Sequence, residues 1–498
     1  MGQISGFSEE ALDIVTEVGR RRLRALLDRA QVVRGASTHR EDEPGVLRLV
    51  GALEELVTEC LSRSEIDWQD LKSDDGPEDL DEEALELQEA FRVAAVSELR
   101  NRVRSAENVV LEMLALLTKP PLRHVEPLIS AFNRMARELT NDSSTELIFS
   151  ADEEPTYRVL SDALSAIYSL VSEITQDKTK EENRPLLAIV SYPAREDADT
   201  FSQALIAHEV AHLALERVVE RQSIRDRIFL NTKSDFGTPP AIPGRPESTA
   251  EGTEKDPEAD ATRYQNWIKE LGADHIAVRI LGPVYYFSFV EHVIGSNEPS
   301  YDPILEKFDS HPPIALRLKW LQREVTDFIN ELPEGEARDR LQKRVDFWEP
   351  IVNQYDQLAS PGAQELIEAI QGFLDVAVDR TRKLVSEIFD KRLYSPEQFD
   401  KDVPEIIWKL EHNVAPSERI LAENSDPDEP RPWSVPVDWR SILNASYLLL
   451  SEAAAKSPMD PTLRDDANRM LRGSIELSEL HHKMSKLKTA YGELGEPK

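Results

Sequence analysis

Apolar residues recur at helical spacing through most of this 498-residue chain, and only two short runs break that rhythm. From Ser8 to Arg29 they fall at Leu12, Ile14, Val15, Val18, Leu23 and Leu26, which lays one apolar stripe along a helix. The same spacing predicts helices over roughly 45–62, 82–117, 125–139, 155–176, 201–222, 261–281, 314–331, 335–346, 362–390, 438–456 and 460–490. The exceptions are Glu146 to Phe149 and Leu186 to Tyr192. The second is a short apolar run with β-branched members, stopped by Pro193, the pattern of a strand. So little strand cannot support a large sheet. The expected fold class is mainly α, an α+β core with a small sheet between helical N- and C-terminal regions.

Charge limits what such a chain can bind. It carries 59 basic and 93 acidic residues, a formal net charge of −34. A surface this acidic repels phosphate backbones and anionic lipid heads, so no nucleic acid is expected as a partner. The longest apolar stretch, Ile276 to Ile294, contains Arg279, Gly282, Pro283, Glu291 and His292. A bilayer-crossing helix needs about 20 mostly uncharged residues, so this stretch reads as a buried helix followed by a turn. Cys60 stands alone, which excludes an intrachain disulfide and a cysteine-ligated zinc site. The N-terminus shows no basic segment leading into an apolar run. A cytoplasmic location is the expectation. Residues 232–260 hold five prolines and many charges, a composition that builds no core and predicts a mobile insert.

Chemistry concentrates in one region. Five of the ten histidines (His208, His212, His275, His292 and His311) fall within about a fifth of the chain. In His208-Glu-Val-Ala-His212, the two imidazoles are four residues apart and share one helix face. So placed, both can reach one zinc ion at about 2.0–2.1 Å. Glu209, beside them, can take a proton from a water at that ion. The bland alternative is a surface helix with two histidines and a glutamate.

A second helix supplies what such a site lacks. In Glu270-Leu-Gly-Ala-Asp274 the two acids also share a face. A two-histidine site needs a third ligand, and a ligating imidazole needs an acceptor for its far nitrogen. Glu270 meets the first need and Asp274 the second. The helix is otherwise apolar, so acids there require partners. His275 points to a different side and reads as a core histidine. Tyr285 and Tyr286 could reach the cleft, but aromatic packing is the use expected of them. In Ser310-His311-Pro-Pro-Ile-Ala-Leu-Arg317, the prolines extend the chain at His311 and start a helix after it. His311 could then donate a hydrogen bond to an oxyanion.

HEVAH, then EL-G-AD after 57 residues, then HPPIALRL after a further 36, resembles the gluzincin metallopeptidases. More closely, it resembles the M48-type family of HtpX-like and CAAX-prenyl proteases and their soluble relatives. The resemblance covers roughly residues 125–345. It implies a zincin-like core there and says nothing of the flanking regions over 1–124 and 346–498, where the apolar spacing predicts helices. It implies one zinc ion per chain on His208, His212 and Glu270, with Glu209 as general base and Asp274 as support for a ligand. It also implies a transition-state role for His311, organised by Arg317. The activity implied is metalloendopeptidase cleavage of a protein or peptide substrate, with a regulatory protein partner as a further expectation. The run at 186–192 would be the edge strand that pairs with an extended substrate. The membrane-spanning helices of some members have no counterpart here. The rival expectation is a helical scaffold or regulatory protein with a structural or vestigial zinc site.

Overall fold

The computed structural model describes residues 9–36, 43–73, 82–118, 126–152, 157–160, 163–175, 186–193, 199–219, 257–295, 311–358, 375, 379, 382–383, 385–389, 393–412, 437–456 and 462–493. In chain order the elements are α1 (Glu9–Ala36), α2 (Glu43–Ser73), α3 (Glu82–Thr118), α4 (Glu126–Thr140), β1 (Glu146–Asp152), β2 (Arg158–Leu160), α5 (Ala163–Thr175) and β3 (Leu187–Pro193). A short 3-10 turn, Ser202–Leu205, leads into α6 (Ile206–Val219). There follow α7 (Pro257–Leu281), α8 (Val284–Gly295), α9 (Ile314–Glu331), α10 (Glu336–Leu358), α11 (Pro396–Glu411), α12 (Trp439–Lys456) and α13 (Thr462–Glu493). The fold is mainly α with one three-stranded sheet, as the apolar spacing predicts.

Two compact units divide the chain. One holds Met1–Pro121, Ser144–Asp152 and Leu160–Ser191; the other holds Leu122–Ser143, Glu153–Val159 and Tyr192–Lys498. In the first, α1, α2 and α3 pack on one another, and α5 packs on α2 and α3. Their shared core joins Leu23, Leu49, Leu53 and Val110 to Leu164, Ile148 and Leu187. Each such side chain contributes about 1.5–3 kcal/mol through burial. Gly45, in the first turn of α2, sits where an added Cβ would lie 3.2 Å from both Ile148 and Leu187. Its lack of a side chain lets the helix start close against the strands. Arg48 donates to the Ser144 carbonyl at 3.0 Å and pairs with Glu146 at 3.3 Å, tying α2 to the head of β1.

The sheet corrects two expectations. Its strand order is β1-β3-β2, so β3 is the central strand and not an edge. All seven residues of β3 are buried, and an apolar run buried on both faces is what a central strand requires. Strand addition of a substrate along β3 is thereby excluded. Residues 155–176 are not one helix: Arg158–Leu160 pair as β2, and α5 begins only at Ala163. Pairing with a neighbouring strand overrides local helical spacing there.

The second unit is built around α7. Trp267, Leu271, Ala273, Ile276, Ala277, Val278 and Ile280 on it are all buried, and α6, α8 and α9 pack against it. A helix apolar all round has to lie in the interior. Gly282 ends it with φ +82°, and a Cβ there would meet the Tyr394 ring at 2.8 Å. That turn, expected from Gly282-Pro283, folds α8 back beside α7. Residues 232–256 of the expected insert lie outside the described residues, and 257–260 belong to the first turn of α7. Of the expected helix over 362–390, only 375, 379, 382–383 and 385–389 are described, and these are helical. No helix of the described residues is long and apolar enough to cross a membrane.

Candidate metal centre

The helix that carries the histidines is fixed at its entrance. Asp199 accepts from the Phe201 amide at 3.3 Å and the Ser202 hydroxyl at 2.6 Å, and its carbonyl accepts from Gln203 N. The N-cap of the turn is Phe201, which makes no side-chain cap, and Asp199 acts from two residues before it and not as the cap expected at 199 or 200. Arg464 of α13 donates to the same carboxylate at 2.6 Å, and Thr200 N donates to Asn468 at 2.9 Å. Burial opposes the Asp199 charge, yet the Arg464 guanidinium holds its carboxyl below the usual range. From there Ile206, Ala207, Val210, Ala211, Leu213 and Ala214 bury α6, and His208 follows its apolar neighbours inward while His212 stays half-buried.

Three side chains converge beside α6. His208 Nε2 lies 3.0 Å from His212 Nε2 and 3.1 Å from Glu270 Oε2, and His212 Nε2 lies 3.2 Å from Glu270 Oε1. The two rings stand nearly perpendicular, at 87°. Tetrahedral ligands at about 2.0–2.1 Å from one zinc ion are roughly 3.3 Å apart, and one ligand atom from each of the three residues lies within 4.8 Å of the other two. Two nitrogens and one carboxylate oxygen are also a donor set that zinc favours. His208, His212 and Glu270 could therefore hold a metal ion.

Asp274, one turn beyond Glu270, is fully buried behind this triangle. Its Oδ1 lies 2.9 Å from His208 Nδ1. Arg317 reaches it with a two-pronged contact, Nε to Oδ2 at 2.8 Å and Nη2 to Oδ1 at 2.7 Å. Burial would raise the Asp274 pKa, but Arg317 and His208 hold it well below the ordinary carboxylate range. An ionised carboxylate only accepts hydrogen bonds, so His208 donates from Nδ1 to Asp274; burial opposes the imidazole's charge, but Asp274 and Glu270 outweigh it and hold its pKa above the usual imidazole range, so a metal ion at Nε2 would take the place of a proton there. Burial also disfavours the Glu270 charge, and the two imidazoles outweigh it, holding that carboxyl low. Arg317 is itself buried, stacked 4.6 Å over Phe289, with Nη1 4.0 Å from Glu270.

Each remaining expected residue has a definite place. Glu209 is buried on the same turn as His208, close enough for its charge to act on the Tyr285 hydroxyl. His311 stands just before α9, whose N-cap is Pro313 at ψ 137°, the extended entrance the prolines predict. Its imidazole is 60% exposed, with Nε2 3.6 Å from Glu270 Oε2. His275 turns away, as expected of a core histidine: its Nδ1 meets Glu324 at 2.7 Å. His292 packs edge-on against Tyr157.

Tyr285 departs from the packing expected of it. Its hydroxyl donates to Asp274 Oδ1 at 2.7 Å and lies 3.4 Å from His208 Nδ1. Spacing along the chain gives no signal for this, because the turn at Gly282 brings Tyr285 back beside α7. Tyr286, by contrast, is a core side chain. No protein-family profile, curated protein or solved structure matches this chain. The resemblance to M48-type peptidases accordingly rests on the three motifs.

Proposed function

We propose that this chain is a zinc-dependent metalloendopeptidase, and the observation that carries the reading is the triangle of donors on His208, His212 and Glu270. A bound zinc ion supplies a Lewis acid that polarises a scissile carbonyl and makes a water at the site more acidic. The chain's own residues do the rest. Glu209 takes the proton from the attacking water and passes it to the leaving amine. Asp274 holds the His208 ring in one tautomer, and Arg317 and Tyr285 hold Asp274. His311, exposed beside Glu270, offers a donor to the developing oxyanion. Apolar neighbours on α6 and α7 exclude bulk water from the buried side.

A structural zinc site is the second reading, and the burial of His208, Glu270 and Asp274 favours it. Structural sites, however, are usually closed by four protein ligands. Here the described residues supply three, and the partly open His212 and exposed His311 leave a face for substrate. Glu209→Gln separates the readings. The peptidase account expects stoichiometric zinc in both proteins, with cleavage of an unfolded casein lowered at least about 100-fold in the variant. Equal cleavage by both would overturn it, and zinc without cleavage in the parent would favour the structural reading.

A further inference from the structure

Away from the metal centre, α10 and α12 line an open cavity of about 790 Å³. That volume lies in the range of small-molecule sites. Two arginines on α10 line it, and they are treated differently. Arg340 is saturated: Glu336 accepts from it at 2.9 Å and Glu452 at 3.2 Å, with Glu411 at 3.8 Å. Arg344 is not. Its side chain is only 13% exposed, yet its nearest carboxylate oxygen, on Glu291, is 3.9 Å away. Glu291 is already engaged by Arg464 at 2.8 Å and the Tyr447 hydroxyl at 2.6 Å.

Arg344 makes one hydrogen bond, from Nη2 to the Tyr447 hydroxyl at 3.2 Å. Among the described residues its buried Nε has no acceptor. The guanidinium instead lies 4.7 Å from the Phe347 ring centre, 4.9 Å from Trp348 and 5.4 Å from Tyr447. Aromatic faces attract a cation, but they accept none of its protons in the plane of the fork. A guanidinium held among rings and mostly buried, whose one ion pair among the described residues is a long contact to a carboxylate shared with Arg464 and Tyr447, suits a planar anion brought from outside. Lys343 lines the same cavity at an exposed position; of the three carboxylates that also line it, Glu336 and Glu452 are engaged by Arg340, which leaves Asp339 beside Lys343 and Arg344. Phe347, 54% exposed, and Leu448 offer apolar contact.

We propose that this cavity binds a carboxylate carried on an apolar or aromatic body, with Arg344 and Lys343 taking the carboxylate and Phe347 and Leu448 the body. The site stands independently of the metal centre and of any peptidase activity. N-acetyl-phenylalanine and its uncharged amide are the probes, titrated into the full chain by calorimetry. The acid is expected to bind at least about tenfold more tightly than the amide. Arg344→Met and the surface change Lys343→Glu should each remove that preference, and the second keeps the proposal testable if the first fails to fold. A tripeptide ending in phenylalanine is the third probe. Tighter binding than the single residue assigns the site to a peptide C-terminus, and equal binding assigns it to a free small acid. Failure of all three probes to bind at about 1 mM, equal affinity for acid and amide, or indifference to Lys343→Glu would overturn the proposal.

Discussion

Asp274 and His275 are neighbours on α7, and each joins a buried histidine–carboxylate pair, but the two pairs are built for different ends. Asp274 faces His208, whose far nitrogen meets two more donors at 3.0 and 3.1 Å. His275 faces Glu324 at 2.7 Å, and Arg382 closes the other side of that carboxylate at 2.6 Å. The far nitrogen of His275 is buried and meets no acceptor among the described residues. A buried imidazole with a carboxylate behind it is thus common to both. What distinguishes a ligand site is convergence of further lone pairs in front. The first pair is expected to control metal, and the second only packing and stability.

Asp274→Asn should have the largest effect. It removes the charge and one of the two acceptor oxygens that His208, Tyr285 and Arg317 share, and leaves buried Arg317 with the Glu270 carboxylate at 4.0 Å. Zinc affinity should fall about 10–100-fold, and stability by about 3–5 kcal/mol. Competitive chelation and denaturant unfolding measure the two. Full zinc affinity in a folded variant would break the contrast between the pairs.

Glu324→Gln should cost about 1–3 kcal/mol and leave zinc affinity unchanged. It also gives a pH signature. Burial opposes the Glu324 charge, but His275 and Arg382 hold its carboxyl low. A depressed carboxylate adds stability that is fully present above its unfolded pKa of about 4.3 and is lost as pH falls through the lower folded value. The metal-free parent should therefore lose stability below pH of about 4 more steeply than the Gln variant. Parallel curves would remove this ion pair from the account.

Tyr285→Phe should have the smallest effect. Asp274 keeps both Arg317 contacts and loses one hydrogen bond, worth about 1 kcal/mol. A several-fold weakening of zinc, with the protein still folded, is expected by the same chelation assay. No change would reduce Tyr285 to the packing role its sequence suggests.

Legibility followed the same division. The α6 and α7 faces could be read directly, because helical spacing alone puts His208 with His212 and Glu270 with Asp274 on one side. The extended entrance at His311 was legible too, since proline fixes its own backbone and restricts its neighbour's. Strand order was not: nothing local in Leu186 to Tyr192 says that it has partners on both sides, and Arg158 to Leu160 is too short to announce itself. Tyr285 was hidden for a third reason. Its contact with Asp274 depends on the path of the chain after Gly282, and no spacing rule carries across such a turn.

The central claim is that two helices deliver three side chains to one divalent ion. Anomalous diffraction at the zinc edge from crystals of the zinc-loaded protein tests it most directly. The account expects one ion bonded to His208 Nε2, His212 Nε2 and a Glu270 oxygen at about 2.0–2.2 Å. Zinc held elsewhere, or a Glu270 carboxylate turned away from both imidazoles, would contradict it.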